Sequence, residues 1–406
     1  MRRVVITGMG AVTPLGADVA ALVDGIENRR SGVRRMPGWE AYRGLRSLVA
    51  APAEVRDEKS IPRRNRRSMG RMSFFAVRAA EEALADAVIE RARLGSGRVG
   101  CAIGSTMGGA EALSQTFETM SHEKDLAKLS SMKFFQCLAH TAAMNVSQYL
   151  GITGMVLAPS GACASSLQAL GIGYDLIKCG RQDIVLCGGS EEVHPTVTAA
   201  FDILYATSTG YNEEPQETPR PFDKKRDGLV CGEGCGIVVL EELEHARARG
   251  AAIHGEVVGF HTCASGDHVS ESSHASIERC LRGALEDAAV SAAEVDYVNA
   301  HATATRHGDA EEARAIAEVF GDRVPVSAFK GYIGHTLGAS GAIELIAALV
   351  GMRRGVLYPT LNLQEADDCG GIRHVLERTA SRVDLMVKNS FAFGGINASL
   401  VCRRAS

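Results

Sequence analysis

The segment "VLAPSGACASSLQALGIGYDLIKCG", residues 156–180, contains a short apolar run, a cysteine among small residues and then a long apolar helical pattern. The segment "VPVSAFKGYIGHTLGASGAIELIAALVGMRRG", residues 324–355, repeats that order with a histidine near the place of the cysteine. Cys163 and His335 therefore both stand between a predicted strand and a predicted helix. The repeat predicts two halves with one plan, whose strand-to-helix turns face one another across a shared cleft.

The rest of the chain alternates valine- and isoleucine-rich runs with helical patterns. The helical patterns cover residues 73–90, 164–179, 275–290, 309–320 and 340–353. Continuous apolar strands separated by helices are typical of an α/β fold in which helices cover both faces of a sheet. We expect the first half to span residues 1–250 and the second to span residues 251–406. With 46% apolar residues, a chain of 406 residues can bury a large core.

Composition argues against several classes of function. The net charge of −4 gives no general attraction to nucleic acid. No apolar stretch approaches the roughly 20 residues that span a bilayer. Glycines interrupt the N-terminal apolar run, which indicates a first strand and not a secretory signal. The 11 cysteines show no disulfide framework, so we expect a cytoplasmic protein with free thiols.

Cys163 stands where an apolar run ends and a helical pattern begins. The positive end of a helix dipole and the unpaired N–H groups of the first turn favour a thiolate, so we expect the pKa of this thiol to be lower than its usual value of about 8.5. The small neighbours Gly161, Ala162 and Ala164 leave space for a substrate beside the sulfur. The local pattern fits either a catalytic nucleophile or a small buried cysteine in a tight turn.

Two histidines follow predicted strands. His301, in "VDYVNAHATATRHGD", either donates a hydrogen bond into a cleft or is a solvated loop residue. His335 comes five residues after Lys330 in a glycine-rich segment. Glycine at this density indicates close backbone packing or the approach of a ligand.

Two further segments each allow two interpretations. Near the C-terminus, "KNSFAFGGINASLV" at residues 388–401 fits a mobile loop with an aromatic plug or a tight turn before a final strand. The segment "IPRRNRRSMGR" at residues 61–71 contains arginines and no acidic residue. It fits a solvated helix start or a docking site for an acidic partner, whereas nucleic-acid binding lacks a supporting motif.

Cofactor and metal motifs are incomplete. The glycine pair after the first strand lacks the third glycine of a dinucleotide site, because Thr13 stands there. The glycines near Lys330 do not have the order of a phosphate-binding loop. Cys231 and Cys235 have no matching pair that would complete a zinc site. We therefore expect neither a cofactor nor a metal.

Taken together, these motifs resemble those of the β-ketoacyl-acyl-carrier-protein synthases, most closely the elongating KAS II type. The resemblance rests on Cys163 in "GACASS", His301 in "NAHATAT", Lys330 and His335 in "KGYIGHTLGASG", and the terminal "FAFGGIN". The opening "RRVVITGMGAVTPLG" and the segment "RPFDKKRDGLVCGEGCGIVVLEELEHARARG" are also similar to the family. The resemblance covers essentially the whole chain, with the motifs in the family's order.

The resemblance implies an α/β, thiolase-like fold with duplicated βαβαβαβ halves in a five-layered αβαβα arrangement, usually as a homodimer. A Cys–His–His set distinguishes this type from thiolases, which use Cys–His–Cys, and from the initiating KAS III type, which uses Cys–His–Asn. Chain-length factors lack the nucleophile, so Cys163 argues against that class. A non-catalytic or chain-length-setting subunit of a heterodimer stays as the alternative, and a hydrolase or acyltransferase using an acyl-cysteine is a third hypothesis.

The implied reaction is a decarboxylative Claisen condensation. An acyl group is first transferred from acyl carrier protein to Cys163, and malonyl-carrier then loses CO₂ and attacks the acyl group to give 3-ketoacyl-carrier. The resemblance assigns oxyanion stabilisation to His301 and His335 and charge and hydrogen-bond support to Lys330. A second oxyanion hole uses the backbone N–H groups of Cys163 and Phe393.

The resemblance also assigns binding roles. Thr303 and Thr305 match threonines that hydrogen-bond the pantetheine arm, and Phe393 matches the gate between the acyl pocket and the entrance. The docking surface for the acidic carrier protein is expected at four arginines: Arg63, Arg64, Arg66 and Arg67.

Several positions depart from the family pattern. Ala302 and Ala392 replace glycines, and Ile396 replaces the threonine of the gate. Because alanine tolerates positive φ angles poorly, we expect the methyl groups at 302 and 392 to restrict the backbone. Arg306 replaces a proline, and Gly210 stands where many relatives have a carrier-binding arginine. These departures suggest a specialised synthase for polyene, polyketide-like or unusual lipid chains.

Overall fold

The structure is a computed structural model that describes residues 1–268, 273–367 and 370–405, apart from the side chain of Leu126. Its strands, numbered along the chain, are β1 (Val4–Val12), β2 (Arg34–Arg35), β3 (Val49–Ala50), β4 (Val99–Gly104), β5 (Val156–Leu157), β6 (Ile184–Glu191), β7 (Gly234–Glu242), β8 (Gly255–Ala264), β9 (Tyr297–Asn299), β10 (Pro325–Ser327), β11 (Val356–Leu357), β12 (Arg373–His374), β13 (Thr379–Ala380), β14 (Leu385–Ala392) and β15 (Ile396–Arg403).

The α-helices include one for each helical pattern of the sequence. They are α1 (Val19–Glu27), α2 (Arg63–Arg66), α3 (Arg71–Asp86), α4 (Arg91–Leu94), α5 (Ala110–Glu123), α6 (Ser131–Cys137), α7 (Thr141–Leu150), α8 (Ser165–Lys178), α9 (Pro195–Ile203), α10 (Leu243–Ala248), α11 (His274–Asp287), α12 (Arg306–Phe320), α13 (Lys330–Ile333) and α14 (Ser340–Arg354). All five helical patterns of the sequence therefore form helices. Gly355 ends α14 in the left-handed conformation, with a φ of 66° that glycine adopts without strain.

One eleven-stranded sheet connects the two halves of the chain. The first half contributes the order β1-β7-β6-β4-β5, and the second contributes β8-β15-β14-β9-β10 followed by β12. The first two pairings in each half are antiparallel and the next two are parallel. The halves meet where β1 and β8 pair, with Val4 opposite Val257. The duplication expected from the two matching segments is thus confirmed by strand order and direction.

The helices form three layers around the two halves of the sheet. Helices α8 and α14 contact each other and lie between the half-sheets, because α8 contacts β6 and β15 while α14 contacts β7 and β14. Helices α3 and α7 cover the outer face of the first half. Helix α11 covers β8 and β15 on the opposite outside, with α12 beside it. This arrangement confirms the thiolase-like αβαβα fold.

Glycines in β1 allow the outer helix to pack closely. A Cβ added at Gly10 would lie 2.0 Å from the carbonyl oxygen of Ala79 in α3, and one at Gly8 would lie 2.1 Å from that of Ala83. A side chain at either position would push α3 away from the strand. Within the residues that the structure describes, no helix is both long and apolar enough to cross a membrane.

Candidate active site

Cys163 lies in the turn that connects β5 to α8. Residues Ala162–Ala164 form one 3₁₀ turn immediately before α8, and Cys163 is only 3% exposed. The turn is held by Ser165, whose hydroxyl donates to the carbonyl oxygen of Ala162 at 2.6 Å and accepts from the Gly161 N–H at 3.0 Å. The thiol is therefore fixed at the start of the central helix.

His335 approaches Cys163 from the matching turn of the second half. Residues Leu337–Ala339 form a 3₁₀ turn before α14, which is the same arrangement as before α8. The His335 Nε2 atom lies 2.9 Å from the Cys163 Sγ atom, and its Nδ1 atom lies 3.0 Å from the Ser340 hydroxyl. The two strand-to-helix turns thus face one another, as expected from the sequence.

His301 completes the cluster from the end of β9. Its ring centroid lies 5.2 Å from that of His335, and the rings are nearly perpendicular. The Glu312 carboxylate fixes this loop by accepting hydrogen bonds from the backbone N–H groups of His301 and Ala302, each at 2.7 Å. The Sγ atom of Cys163 and one ring nitrogen from each of His301 and His335 all lie within 4.8 Å of one another. The structure therefore brings all three expected side chains into one place.

Lys330 lies behind His301 and not in the cavity. Its ammonium donates to the carbonyl oxygen of His301 and to Glu344 Oε1 at 2.6 Å, and it lies 3.4 Å from His301 Nδ1. An ammonium only donates hydrogen bonds, so this contact requires His301 Nδ1 to be the acceptor. The N–H of His301 is then on Nε2.

Both histidines are neutral in this site. Burial lowers the pKa of His301 and of His335 well below the usual value of 6.5, and the positive charge of Lys330 lowers both further. A neutral imidazole has one N–H donor, so each ring can stabilise negative charge that develops in the cavity.

The thiol of Cys163 departs from expectation. Burial raises its pKa to about 12, although the charge of Lys330 acts in the opposite direction. The expected lowering of this pKa was wrong, because the cost of removing a thiolate from water exceeds the effect of the helix start.

A cavity of about 590 Å³ leads to the cluster. Its lining includes Cys163, His301 and His335 at one place and Thr303 and Thr305 at another. The two threonine hydroxyls lie 3.0 Å apart. The cavity thus has reactive groups and hydroxyl groups that could contact a substrate arm.

Phe393 also lines the cavity, in a tight turn between two strands. Ala392 pairs with Ile396 across the turn, whose glycines Gly394 and Gly395 have φ angles of 86° and 72°. Of the two interpretations of this segment, the described backbone shows the tight turn. The ring centroid of Phe393 lies 5.9 Å from that of Phe201.

The two alanine departures differ in their backbone geometry. Ala302 has a φ of 29°, so its methyl group does strain the residue next to His301. Ala392 is part of β14 and does not have a positive φ. The expected cost of a methyl group at 392 through positive φ was therefore wrong.

The four expected docking arginines lie on or next to the short helix α2, apart from the cavity lining. Arg63, Arg64 and Arg67 are exposed and Arg66 is half-buried. Within the described chain, no ion pair involves any of the four. Their charges are thus available to an acidic partner.

Three charged residues at the site were not identified from the sequence: Glu312, Glu344 and Lys388. Glu344 and Lys388 are fully buried. Each is the single charged residue of an apolar run, "GAIELIAALV" and "LMVKNSF". A charge in such a run is costly unless it is paired, and this was the signal that could have identified them.

Family models match most of the chain. The model of the β-ketoacyl synthase N-terminal domain matches residues 1–246, and that of the C-terminal domain matches residues 254–364. The 3-oxoacyl-[acyl-carrier-protein] synthase 1 of Escherichia coli (strain K12) is 36% identical over 410 residues, covering 100% of this chain and 99% of that protein. The 3-oxoacyl-[acyl-carrier-protein] synthase 2 of Vibrio cholerae is 34% identical over 412 residues, covering 99% of both chains.

Solved structures show the same likeness. A β-ketoacyl synthase from Burkholderia phymatum STM815 has a TM-score of 0.96 and 45% identity, with 100% of both chains covered. The AntDE:AntF structure is described as a type II PKS acyl-carrier protein in complex with its ketosynthase bound to the hexaketide. A chain of that structure matches with a TM-score of 0.92 and 30% identity, and 100% of both chains is covered.

Proposed function

The chain belongs to the β-ketoacyl synthase family, and from this premise we propose that Cys163, His301 and His335 carry out its condensation reaction. The enzyme is an acyltransferase that forms 3-ketoacyl thioesters, with acyl carrier protein as its partner. The observation that supports the three roles best is the contact of 2.9 Å between His335 Nε2 and the Cys163 sulfur, in a cavity that His301 also lines.

In the first step, Cys163 takes the acyl group from the carrier thioester. Because its pKa is raised to about 12, the resting group is a thiol whose proton must leave as the sulfur attacks. His335 Nε2 is placed to accept that proton and to return it to the departing pantetheine sulfur. The new thioester bond to Cys163 replaces the old one, and no net proton is released. The neighbouring imidazolium therefore exists only during the transfer, in agreement with the low pKa of His335.

In the second step, the malonyl group loses CO₂ and leaves an enolate. Neutral His301, with its N–H on Nε2, donates to the enolate oxygen as its charge develops. His335 donates to the same oxygen after its N–H has moved from Nδ1 to Nε2, the tautomer in which the Ser340 hydroxyl donates to Nδ1. Loss of one such donor costs about 2.7–4 kcal/mol of activation free energy. The enolate carbon then attacks the acyl carbonyl, whose oxygen accepts from the backbone N–H groups of Cys163 and Phe393. The thioester bond to Cys163 breaks as the carbon–carbon bond forms, and the departing sulfur takes up one proton from solvent to become the resting thiol again.

The remaining roles concern support and binding. Lys330 keeps His301 in the required tautomer through the contact of 3.4 Å at Nδ1 and does not reach the substrate. Thr303 and Thr305 line the cavity and can hydrogen-bond the pantetheine arm. Phe393 separates the acyl region from the entrance as a gate.

We propose the elongating KAS II type for this enzyme, within the coarser class of 3-oxoacyl-carrier synthases. Relatives named synthase 1 and synthase 2 match it to similar extents, at 36% and 34% identity. The likeness to a type II polyketide ketosynthase supports a specialised chain as the product. The retained Cys163 argues against the alternative, a non-catalytic or chain-length-setting subunit.

We also propose a homodimer with halves divided near residue 250 and a cytoplasmic location. The ten cysteines of the described residues are all free thiols, which fits a reducing compartment.

The proposed roles are tested by adding acyl-carrier and malonyl-carrier thioesters and measuring CO₂ and 3-ketoacyl-carrier together. We expect equal amounts of both products from the wild type and no 3-ketoacyl-carrier from Cys163→Ser, since that product requires the acyl group on the cysteine. Full product formation by Cys163→Ser would assign catalysis to another subunit or residue. Free fatty acid in place of the ketoacyl product would favour a hydrolase.

A further inference from the structure

Lys388 is a second buried lysine behind the histidines, and the reaction steps above do not use it. It lies on β14 and is fully buried. Its ammonium pairs with Glu344 Oε2, while Lys330 pairs with Oε1 of the same carboxylate at 2.6 Å. It also donates to the carbonyl oxygen of Asn389 at 2.8 Å and to that of Ala300, next to His301, at 3.5 Å.

The charges behind the site balance only when Lys388 is included. Glu344 and Glu312 are both buried carboxylates close enough to interact with Lys388, and Lys330 is the other cation. Without Lys388, Lys330 would be the single cation beside two buried carboxylates, of which it contacts Glu344, and this group of charges behind His301 would have a net negative charge. Such a charge would oppose the enolate and would favour protonation of the histidines.

The structure assigns Lys388 the role of a positioning residue that balances Glu344 and Glu312, so that His301 and His335 stay neutral and can stabilise an anion. The inference rests on the roles proposed for the two histidines. Lys388 contacts Glu344 and backbone carbonyls and does not line the cavity. It therefore acts through the electrostatic potential at the histidines and not by touching the substrate.

The charge of Lys388 depends on pH in the working range. Burial lowers the pKa of Lys388 to about 8, although the negative charge of Glu344 acts in the opposite direction. The other titratable groups that face it are Lys330, Glu344, Glu312, His301 and His335. Both histidines are neutral well below this pH, and the pKa of Cys163 is about 12. Loss of the Lys388 proton should therefore produce a decrease in kcat as the pH rises through about 8.

The test compares the pH profiles of kcat for the wild type, Lys388→Met and Lys388→Arg with acyl- and malonyl-carrier substrates. We expect Lys388→Met to lower kcat at least tenfold at pH 7 with little change in KM, and to remove the decrease near pH 8. Its acidic limb should move to higher pH, because the histidines become easier to protonate. The two profiles should converge above pH 9, where Lys388 of the wild type is neutral. Lys388→Arg should keep most of kcat without a decrease near pH 8.

Two controls separate charge from structure. Lys178→Met removes an ion pair with Asp287 outside the site and should leave kcat and its profile unchanged. Should Lys388→Arg fail to fold, the double variant Lys388→Met/Glu344→Gln removes one charge of each sign and should recover part of kcat. Lys388→Met itself leaves Glu344 paired with Lys330, so we expect it to fold.

Three outcomes would overturn the inference. The first is a kcat and a pH profile of Lys388→Met that equal those of the wild type. The second is a lower kcat of Lys388→Met whose pH profile keeps the wild-type shape, and the third is a change in the KM of Lys388→Met alone. An inactive wild type would instead contradict the proposed function.

Discussion

At the scale of single residues, the position of Cys163 accounts for the reactivity proposed for it and for its protonated state at rest. The helix start and Lys330 favour the thiolate, but burial dominates and raises the pKa to about 12. A buried thiol with a histidine at 2.9 Å reacts when a substrate enters and its proton can be passed on. While no substrate is bound, the thiol of Cys163 stays protonated at neutral pH because its pKa is about 12, so its modification by other reagents is slow.

This geometry predicts how alkylation of Cys163 depends on pH. Below a pKa of about 12, the thiolate fraction rises tenfold for each pH unit. The rate of iodoacetamide labelling, followed by mass spectrometry of the peptide that contains Cys163, should therefore rise about tenfold per unit between pH 7 and 10. Cys163→Ser provides the background from other thiols. A rate that is already constant below pH 8 would show that the helix start outweighs burial.

The residues that the sequence predicted are those with a distinctive local setting. Cys163, His301 and His335 stand in small-residue turns next to apolar runs, and the structure brings them together. Glu344 and Lys388 were not predicted because a charge in an apolar run signals a buried pair without naming the partner. The two residues are 44 positions apart in the chain and meet through the packing of α14 on β14.

At the scale of elements, strands differ in how clearly the sequence indicates them. Buried strands such as β6 and β7 are continuous apolar runs, which a local pattern indicates directly. Strand β8, in contrast, gives a weak local signal, because it is half-exposed along its second part and mixes polar and apolar residues in "GEVVGFHTCA". Its place beside β1 and β15 depends on long-range pairing that no local pattern contains.

The short helix α2 supports a prediction about docking. Changing Arg63, Arg64, Arg66 and Arg67 to glutamate should raise KM for carrier-bound substrates at least tenfold, because an acidic carrier would then meet like charges. Small thioester mimics without a carrier should keep their kcat and KM, and the KM effect should weaken at high salt. Kinetics with both substrate types provide the measurement. Equal losses on both types would mean that α2 has a structural role.

At the scale of the whole molecule, the duplicated fold creates the site. Each half places one strand-to-helix turn at the central layer, with Cys163 before α8 and His335 before α14. The packing of α8 against α14 brings the turns together, so neither half contains the site alone. The sequence could predict this meeting from the repeated plan. It could not predict the size of the cavity, which depends on loops distant in the chain.

The central claim is that Cys163 carries the acyl group that is then extended. Mass spectrometry of the intact enzyme and of its peptides, after addition of acyl-carrier alone and then of malonyl-carrier, tests this claim most directly. The account predicts one acyl group on Cys163 after the first addition and its transfer to 3-ketoacyl-carrier after the second. An acyl group on another residue, or one on Cys163 that malonyl-carrier does not remove, would contradict it.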